Sequence, residues 1–227
     1  TGLAGDPNVY KSKLSDGTQN LIHQFTHEIG GRRKGMISKM GGSEGEGKQT
    51  FCLSSDISTF FFFTVREDGS EYFMGISYFG IFEYANTEYK PFVHFGNKVE
   101  SKDYSNKFWA LPINDKEKID KLKKMFGIKR KKEPGVSVVI PFVNSDVTLD
   151  KIKEVTCKSY RVPILRKKLN VKIGPQEIKH DTLLEIYKNN YCVDDVEKKV
   201  AEEYFKFIKE IDSKKINEKK LIINPSR

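Results

Sequence analysis

The sequence predicts an α+β fold: a two-layer sandwich of helices over a mixed, mostly antiparallel sheet, followed by a mainly helical C-terminal extension. Two aromatic, β-branched stretches, residues 57–66 and 71–82, flank Glu67-Asp68-Gly69-Ser70, a good hairpin signal. Apolar residues at helical spacing bracket this hairpin, in residues 19–29 before it and 114–126 after it. The resulting order is helix, glycine loop, short helix, antiparallel strands, helix, strand, which fits helices packed over one face of a sheet.

Taken in order, Asp16-Gly17-Thr18 forms a turn and cap before the first helix, where Leu21, Ile22, Phe25 and Ile29 share a face. Residues 30–48, rich in Gly, Lys, Arg and Ser, are long for a connection inside a compact domain, and such loops are usually functional or disordered. A short helix runs from Gly47-Lys48 to Ser54-Ser55. In residues 57–66 both alternating sets of side chains are largely apolar, so this strand is expected to be central and covered on both faces. Residues 90–96 are a further strand and residues 98–107 a polar surface loop. The helix over 114–126 turns Ile119, Leu122 and Phe126 inward. Glu133-Pro134-Gly135 is a turn into an apolar, buried-type strand over 136–143. Residues 148–160 are helical, 169–173 a strand, and the chain from Pro175 is mainly helical, with Val196, Val200, Phe205 and Ile208 at roughly helical spacing.

Composition bounds the function. The chain has 227 residues, 37% hydrophobic and 31% charged, which is a globular balance able to support a core. No apolar run approaches the roughly 20 residues of a membrane span; the longest, residues 58–65, has strand length. Cys52, Cys157 and Cys192 are far apart and form no metal-ligand spacing, which predicts reduced thiols and a cytoplasmic setting. The N-terminus has no secretory pattern and no initiator Met, so the chain is expected to start inside a longer protein. A formal charge of +9 permits nucleic-acid or phosphate partners, and it equally describes a Lys-rich surface without them.

The strongest chemical signal is Gly41-Gly42-Ser43-Glu44-Gly45-Glu46-Gly47-Lys48. Glycines allow the backbone to approach phosphate oxygens, amides at the start of a helix point at an anion, and a lysine adds a point charge. Gly42 and Gly47-Lys48 match Walker A spacing, but Gln49 stands where Ser or Thr would bind magnesium, and residues 34–39 are no buried strand. A P-loop is therefore excluded.

This run, leading through residues 50–55 into a strand and hairpin, resembles the second glycine box of the GHKL (Bergerat-fold) ATPases, a superfamily that includes DNA gyrase, MutL, heat-shock chaperones and sensor histidine kinases. Val136-Ser137-Val138-Val139-Ile140-Pro141 is similar to the closing strand of that fold. A nearer resemblance, over residues 1–173, is to a group of bacterial GHKL-like ATP-binding proteins, some in antiviral defence loci. It rests on Gly2-Leu3-Ala4-Gly5-Asp6-Pro7, Gly45-Glu46-Gly47-Lys48, Ser55-Asp56-Ile57-Ser58-Thr59-Phe60-Phe61, Ala110-Leu111-Pro112-Ile113 and the strand after Glu133-Pro134-Gly135.

The resemblance implies an ATP-binding and ATP-hydrolysing domain over residues 1–145 and a transducer-like or helical extension over 146–227. Its cofactors would be ATP and Mg²⁺. Gly41, Gly42, Gly45 and Gly47 would close over the phosphates, Lys48 would neutralise charge, and Gly2 would end the first glycine box. The Asn/Glu motif that holds Mg²⁺ and activates water, and the adenine-reading Asp, are expected upstream of Thr1. Lid closure would change contacts to a protein partner or to the second subunit of a homodimer. The alternative is a non-catalytic scaffold module whose basic surface meets nucleic acid or protein.

Other constellations carry blander expectations. His23 and His27 share a helix face, but H-x-x-x-H-E is not a zinc pattern, so solvated histidines and no metal site are expected. Cys157 reads as a buried thiol, and Glu44 and Glu46 as solvent-facing. Arg32-Arg33-Lys34, Lys129–Lys132 as a basic connector and residues 166–168 could touch phosphates, although no aromatic residues interleave to stack bases.

Overall fold

The structure, a computed structural model, describes residues 2–9, 11–28, 46–89, 91–100 and 108–213. It divides into two compact units, Thr1–Asn144 and Ser145–Arg227.

In the first unit, helix α1 (Leu21–His27) is followed in the described chain by a 3-10 turn, Glu46–Lys48, which runs into α2 (Gln49–Leu53). Strands β1 (Thr59–Val65) and β2 (Glu71–Tyr78) form the predicted hairpin. The Asp68 carboxylate accepts from the Ser70 amide at 2.8 Å and hydroxyl at 2.6 Å, and Gly69 takes φ +80°, the conformation such a turn requires. Next come β3 (Phe82–Tyr84), β4 (Thr87–Tyr89), β5 (Phe92–Phe95), β6 (Asn97–Glu100), β7 (Phe108–Leu111), α3 (Lys116–Met125) and β8 (Gly135–Val139). The Asp115 side chain caps α3 by accepting from the Lys118 amide at 2.8 Å.

The main sheet has the order β5-β2-β1-β8, and its pairings are all antiparallel, so the expected mixed sheet is not found among the described residues. β1 lies between two partners: Phe62 stands opposite Met74 on one side and Val138 on the other. Alternation sends Phe60 and Phe62 to a cluster with Met74, Ile76 and Cys52, covered by Leu3, Phe25 of α1 and Phe51 of α2. It sends Phe63 and Val65 to the other face, with Phe73, Ile113 and Ile119, covered by Leu122 of α3 and by Phe126. Helices therefore pack on both faces, which corrects the two-layer expectation. The reason is the one visible in the sequence: a strand apolar on both sides needs cover on both sides.

Two further expectations change, and the structure adds a hairpin. β8 is an edge strand of intermediate burial, not a fully buried one. Residues 97–100 pair with β7 instead of looping, and residues 101–107 lie outside the described residues. Residues 82–89 form a hairpin through Ala85 and Asn86, both at positive φ, a type I′ geometry whose sequence signal is weak with Ala in the first position.

In the second unit, α4 (Leu149–Ser159) is capped by the Thr148 hydroxyl, which accepts from the Lys151 amide at 3.2 Å. α5 (Arg161–Leu165), the hairpin of β9 (Val171–Ile173) and β10 (Gln176–Ile178), α6 (Leu183–Tyr191) and α7 (Asp195–Ser213) follow. Their core holds Cys157, Ile164, Ile178, Leu183, Phe205 and Ile208. The inward face of α7 is Ala201, Phe205 and Ile208, whereas Val196 and Val200 are exposed, contrary to the single stripe expected. Among the described residues no helix is long and apolar enough to cross a membrane.

Candidate functional site

The first element of the site is the N-terminal segment, seated on β1. The Leu3 amide donates to the Thr64 hydroxyl at 3.0 Å, and the Arg66 guanidinium donates to the carbonyls of Leu3 at 2.8 Å and Gly5 at 2.5 Å. Gly2 lies so close to the strand that a Cβ there would meet the Val65 carbonyl oxygen at 2.1 Å. Asn20, fully buried, donates through Nδ2 to the Asp6 and Val9 carbonyls, both at 2.9 Å, and fixes the segment to the start of α1.

The second element is Lys48, where the 3-10 turn meets α2. Its ammonium donates to the carbonyls of Gln24 at 2.9 Å and Phe25 at 3.1 Å. These carbonyls belong to the last turn of α1, where oxygens lack partners within the helix, so a cation is favourable there. The ammonium is nevertheless uncomfortable. Burial pulls its pKa from 10.5 down to about 8, only partly opposed by Glu28, and no carboxylate lies within ion-pair distance among the described residues. A lysine has three donors, and the two carbonyls use two of them.

The third element is a stack of imidazoles beside Lys48. His27 lies between His23, ring centroids 5.1 Å apart, and His94 of β5, 4.8 Å apart, and Trp109 tilts against it at 6.1 Å. The Ala110 carbonyl, 3.1 Å from Nε2, requires the hydrogen on that nitrogen; Nδ1 lies 2.6 Å from Thr26 Oγ1, whose hydroxyl donates to the Ile22 carbonyl at 2.8 Å. His94 Nε2 donates to the Thr26 carbonyl at 3.0 Å. Burial, and then the neighbouring imidazoles of His94 and His23, hold the His27 pKa at about 3. Burial also lowers His23 and His94. The expectation of solvated histidines is thus corrected: His23 is 8% exposed, and the stack is neutral at physiological pH. Sequence spacing linked His23 to His27, but only the pairing of β5 with β2 brings His94 to them.

Of the residues expected at the site, Gly2 and Lys48 cover the same sheet face: Leu3, next to Gly2, and Phe51 of α2 pack on the same cluster. Gly47 lies in the 3-10 turn, with open space where a Cβ would be. Gly41, Gly42 and Gly45, with Arg32, Arg33, Lys34 and Glu44, lie outside the described residues. Cys52 and Cys157 are buried thiols, each with its pKa raised by burial. In the basic connector, Arg130 faces inward rather than toward a partner. It donates to Ser137 Oγ at 2.9 Å and to the carbonyls of Glu133, Pro134 and Val136, bracing the turn before β8. Among the described residues no group of three or more His, Cys, Asp or Glu side chains is placed to hold a metal ion. No protein-family model, curated protein or solved structure matches the chain.

Proposed function

We propose that the Thr1–Asn144 unit is a nucleotide-binding domain of the GHKL type, which binds and hydrolyses ATP as a conformational switch, in a bacterial defence protein on the resemblance above. The observation that carries this reading is Lys48: a partly buried ammonium, depressed to a pKa of about 8 and without a carboxylate partner among the described residues, at the end of the glycine box. A phosphate is the anion that such a group lacks. The Gly2–Leu3 segment, whose Gly2 packs closely on β1, lies on the same sheet face, where the first glycine box of the resemblance would end.

In this reading Lys48 binds and orients the phosphates, and the apolar cluster under Leu3, Phe25 and Phe51 excludes water from that side. Mg²⁺ would add charge neutralisation. Among the described residues no group of three or more His, Cys, Asp or Glu side chains is placed to hold it.

Calorimetry of the full-length protein with a non-hydrolysable ATP analogue and Mg²⁺ tests the proposal. Binding is expected, weakened roughly ten- to a hundredfold by Lys48→Ala, the usual effect of losing one charge-assisted hydrogen bond. The exposed Lys131→Ala is the control and should bind like the parent. Equal binding by the parent and Lys48→Ala would favour the second reading, a non-catalytic scaffold. The two α1 carbonyls that Lys48 caps are the specific observation on that side.

A further inference from the structure

We propose that the last turn of α1 is a relay: an anion bound at Lys48 loosens the hold of this turn on β5 and on the β6–β7 pair. The inference rests on the reading of Lys48 as a phosphate-binding group and adds what binding does to the rest of the unit.

Consecutive residues of α1 carry the relay. The Gln24 and Phe25 carbonyls accept from the Lys48 ammonium at 2.9 Å and 3.1 Å. The next two residues, Thr26 and His27, tie α1 to two separate strands. The Thr26 carbonyl accepts from His94 Nε2 of β5 at 3.0 Å, and His27 Nε2 donates to the Ala110 carbonyl of β7 at 3.1 Å. His27 also stacks on His94, and Trp109 of β7 tilts against it. β6 and β7 pair with each other and stand outside the four-stranded sheet, so their bond to α1 is one of the few ties that fix them to the unit.

The turn depends on Lys48. α1 has seven residues and runs into extended backbone at Glu28. A helix this short is not held by its own propensity, and its final carbonyls need donors from outside. The anion and the turn therefore compete for one ammonium. A helix C-terminus carries about half a negative charge, so a phosphate seated on the third donor of Lys48 is repelled by the two carbonyls beside it. Binding is favoured when the ammonium swings away from them, and that swing removes the donors from the turn that carries Thr26 and His27. By linkage, whatever fixes this turn lowers affinity for the anion by the same factor.

Amide deuterium exchange of the full chain, with and without the non-hydrolysable ATP analogue and Mg²⁺, tests the relay, with calorimetry to establish saturation. Trp109 is the chain's only tryptophan, so its emission reports the same event. With the analogue bound, the amides of β6 and β7 are expected to exchange about fivefold faster or more, the lower end of ordinary coupling between sites, and Trp109 emission should change. Lys48→Met removes the donors and should exchange at the fast level with or without the analogue. Lys48→Arg keeps them and should restore slow exchange in its absence. A lysine that only capped α1 would give the Lys48→Met effect and no response to the analogue. Saturation with unchanged exchange and emission overturns the relay and leaves the phosphate reading standing, whereas absence of binding overturns both. A folded Lys48→Met protein whose β6 and β7 exchange like the parent's overturns the relay as well. If that variant does not fold, the response of the parent to the analogue decides alone.

Discussion

Lys48 is expected to lower the stability of its unit at neutral pH, by an amount that alkaline pH should reveal. Its folded pKa is about 8 against a usual 10.5, with burial as the leading cause. Below pH 8 the folded protein must keep a desolvated charge. Between about 8 and 10.5 the folded state has released a proton that the unfolded state still binds, so stability rises with pH across that window. At 1.36 kcal/mol per pKa unit the full effect is about 3 kcal/mol. Lys48→Met keeps the stem and removes the charge. It also strips the Gln24 and Phe25 carbonyls of a donor, at about 1–3 kcal/mol, so at pH 7 the two effects should nearly cancel. Urea unfolding of both proteins at about pH 7 and about pH 10 measures the difference. The parent should gain about 3 kcal/mol over the variant on raising the pH, or about 1–3 M in urea midpoint. Parallel pH curves would show that Lys48 is well solvated and would refute the reasoning.

At the acid end, His27 has the same sense of shift: from about pH 6.5 down to about 3 the unfolded chain takes up a proton that the folded state refuses. His27 alone should therefore cost about 2 kcal/mol of stability by pH 5, a share of the acid loss that His27→Gln would remove in a urea titration. Phe63 is fully buried between β2 and α3, so Phe63→Ala should cost about 3–5 kcal/mol in equilibrium unfolding; a loss below about 1 kcal/mol would contradict its place in the core. Gly2→Ala puts a carbon 2.1 Å from the Val65 oxygen, and calorimetric unfolding should register about 1–3 kcal/mol as the segment lifts from β1. An unchanged melting temperature would mean that the segment is not held there.

Local chemistry made parts of this fold legible. Asp68-Gly69 announced its turn, and four consecutive phenylalanines announced a strand covered on both faces. The misreadings have a common origin in side chains whose role depends on distant partners. Val196 and Phe205 both satisfy helical spacing, but only packing tells which face of α7 meets the core. His23 and His27 looked solvated because nothing nearby in sequence shows that β5 delivers His94 and that the β6–β7 hairpin delivers Trp109. Arg130 looked like part of a basic patch because its partners are the carbonyls of the following turn, which carry no sequence signature. For Lys48, the sequence indicated its position beside a helix start but not its two carbonyl partners.

Those two contacts bear directly on the proposed function, because a residue can cap a helix and still serve a ligand. A purely structural cap gains most from a group that stays fully charged at little cost, as an exposed lysine would. Lys48 instead sits where burial costs it more than two pKa units, and three imidazoles beside it are kept neutral by the same burial. Charge there is disfavoured unless an anion arrives. If phosphate is that anion, its arrival must raise the Lys48 pKa, since an opposite charge stabilises the protonated form. At pH 8 about half of the Lys48 side chains are neutral before binding and nearly all are charged after it, so binding should take up about half a proton per site. Titrating the full-length protein with the ATP analogue at pH 8, in buffers of different ionisation enthalpy, reads this number from the slope of observed heat against buffer enthalpy. Lys48→Met should remove the uptake even where residual binding persists. A parent that binds the analogue with no proton uptake at pH 8 would place the phosphates away from Lys48, and the ammonium would then be a helix cap alone.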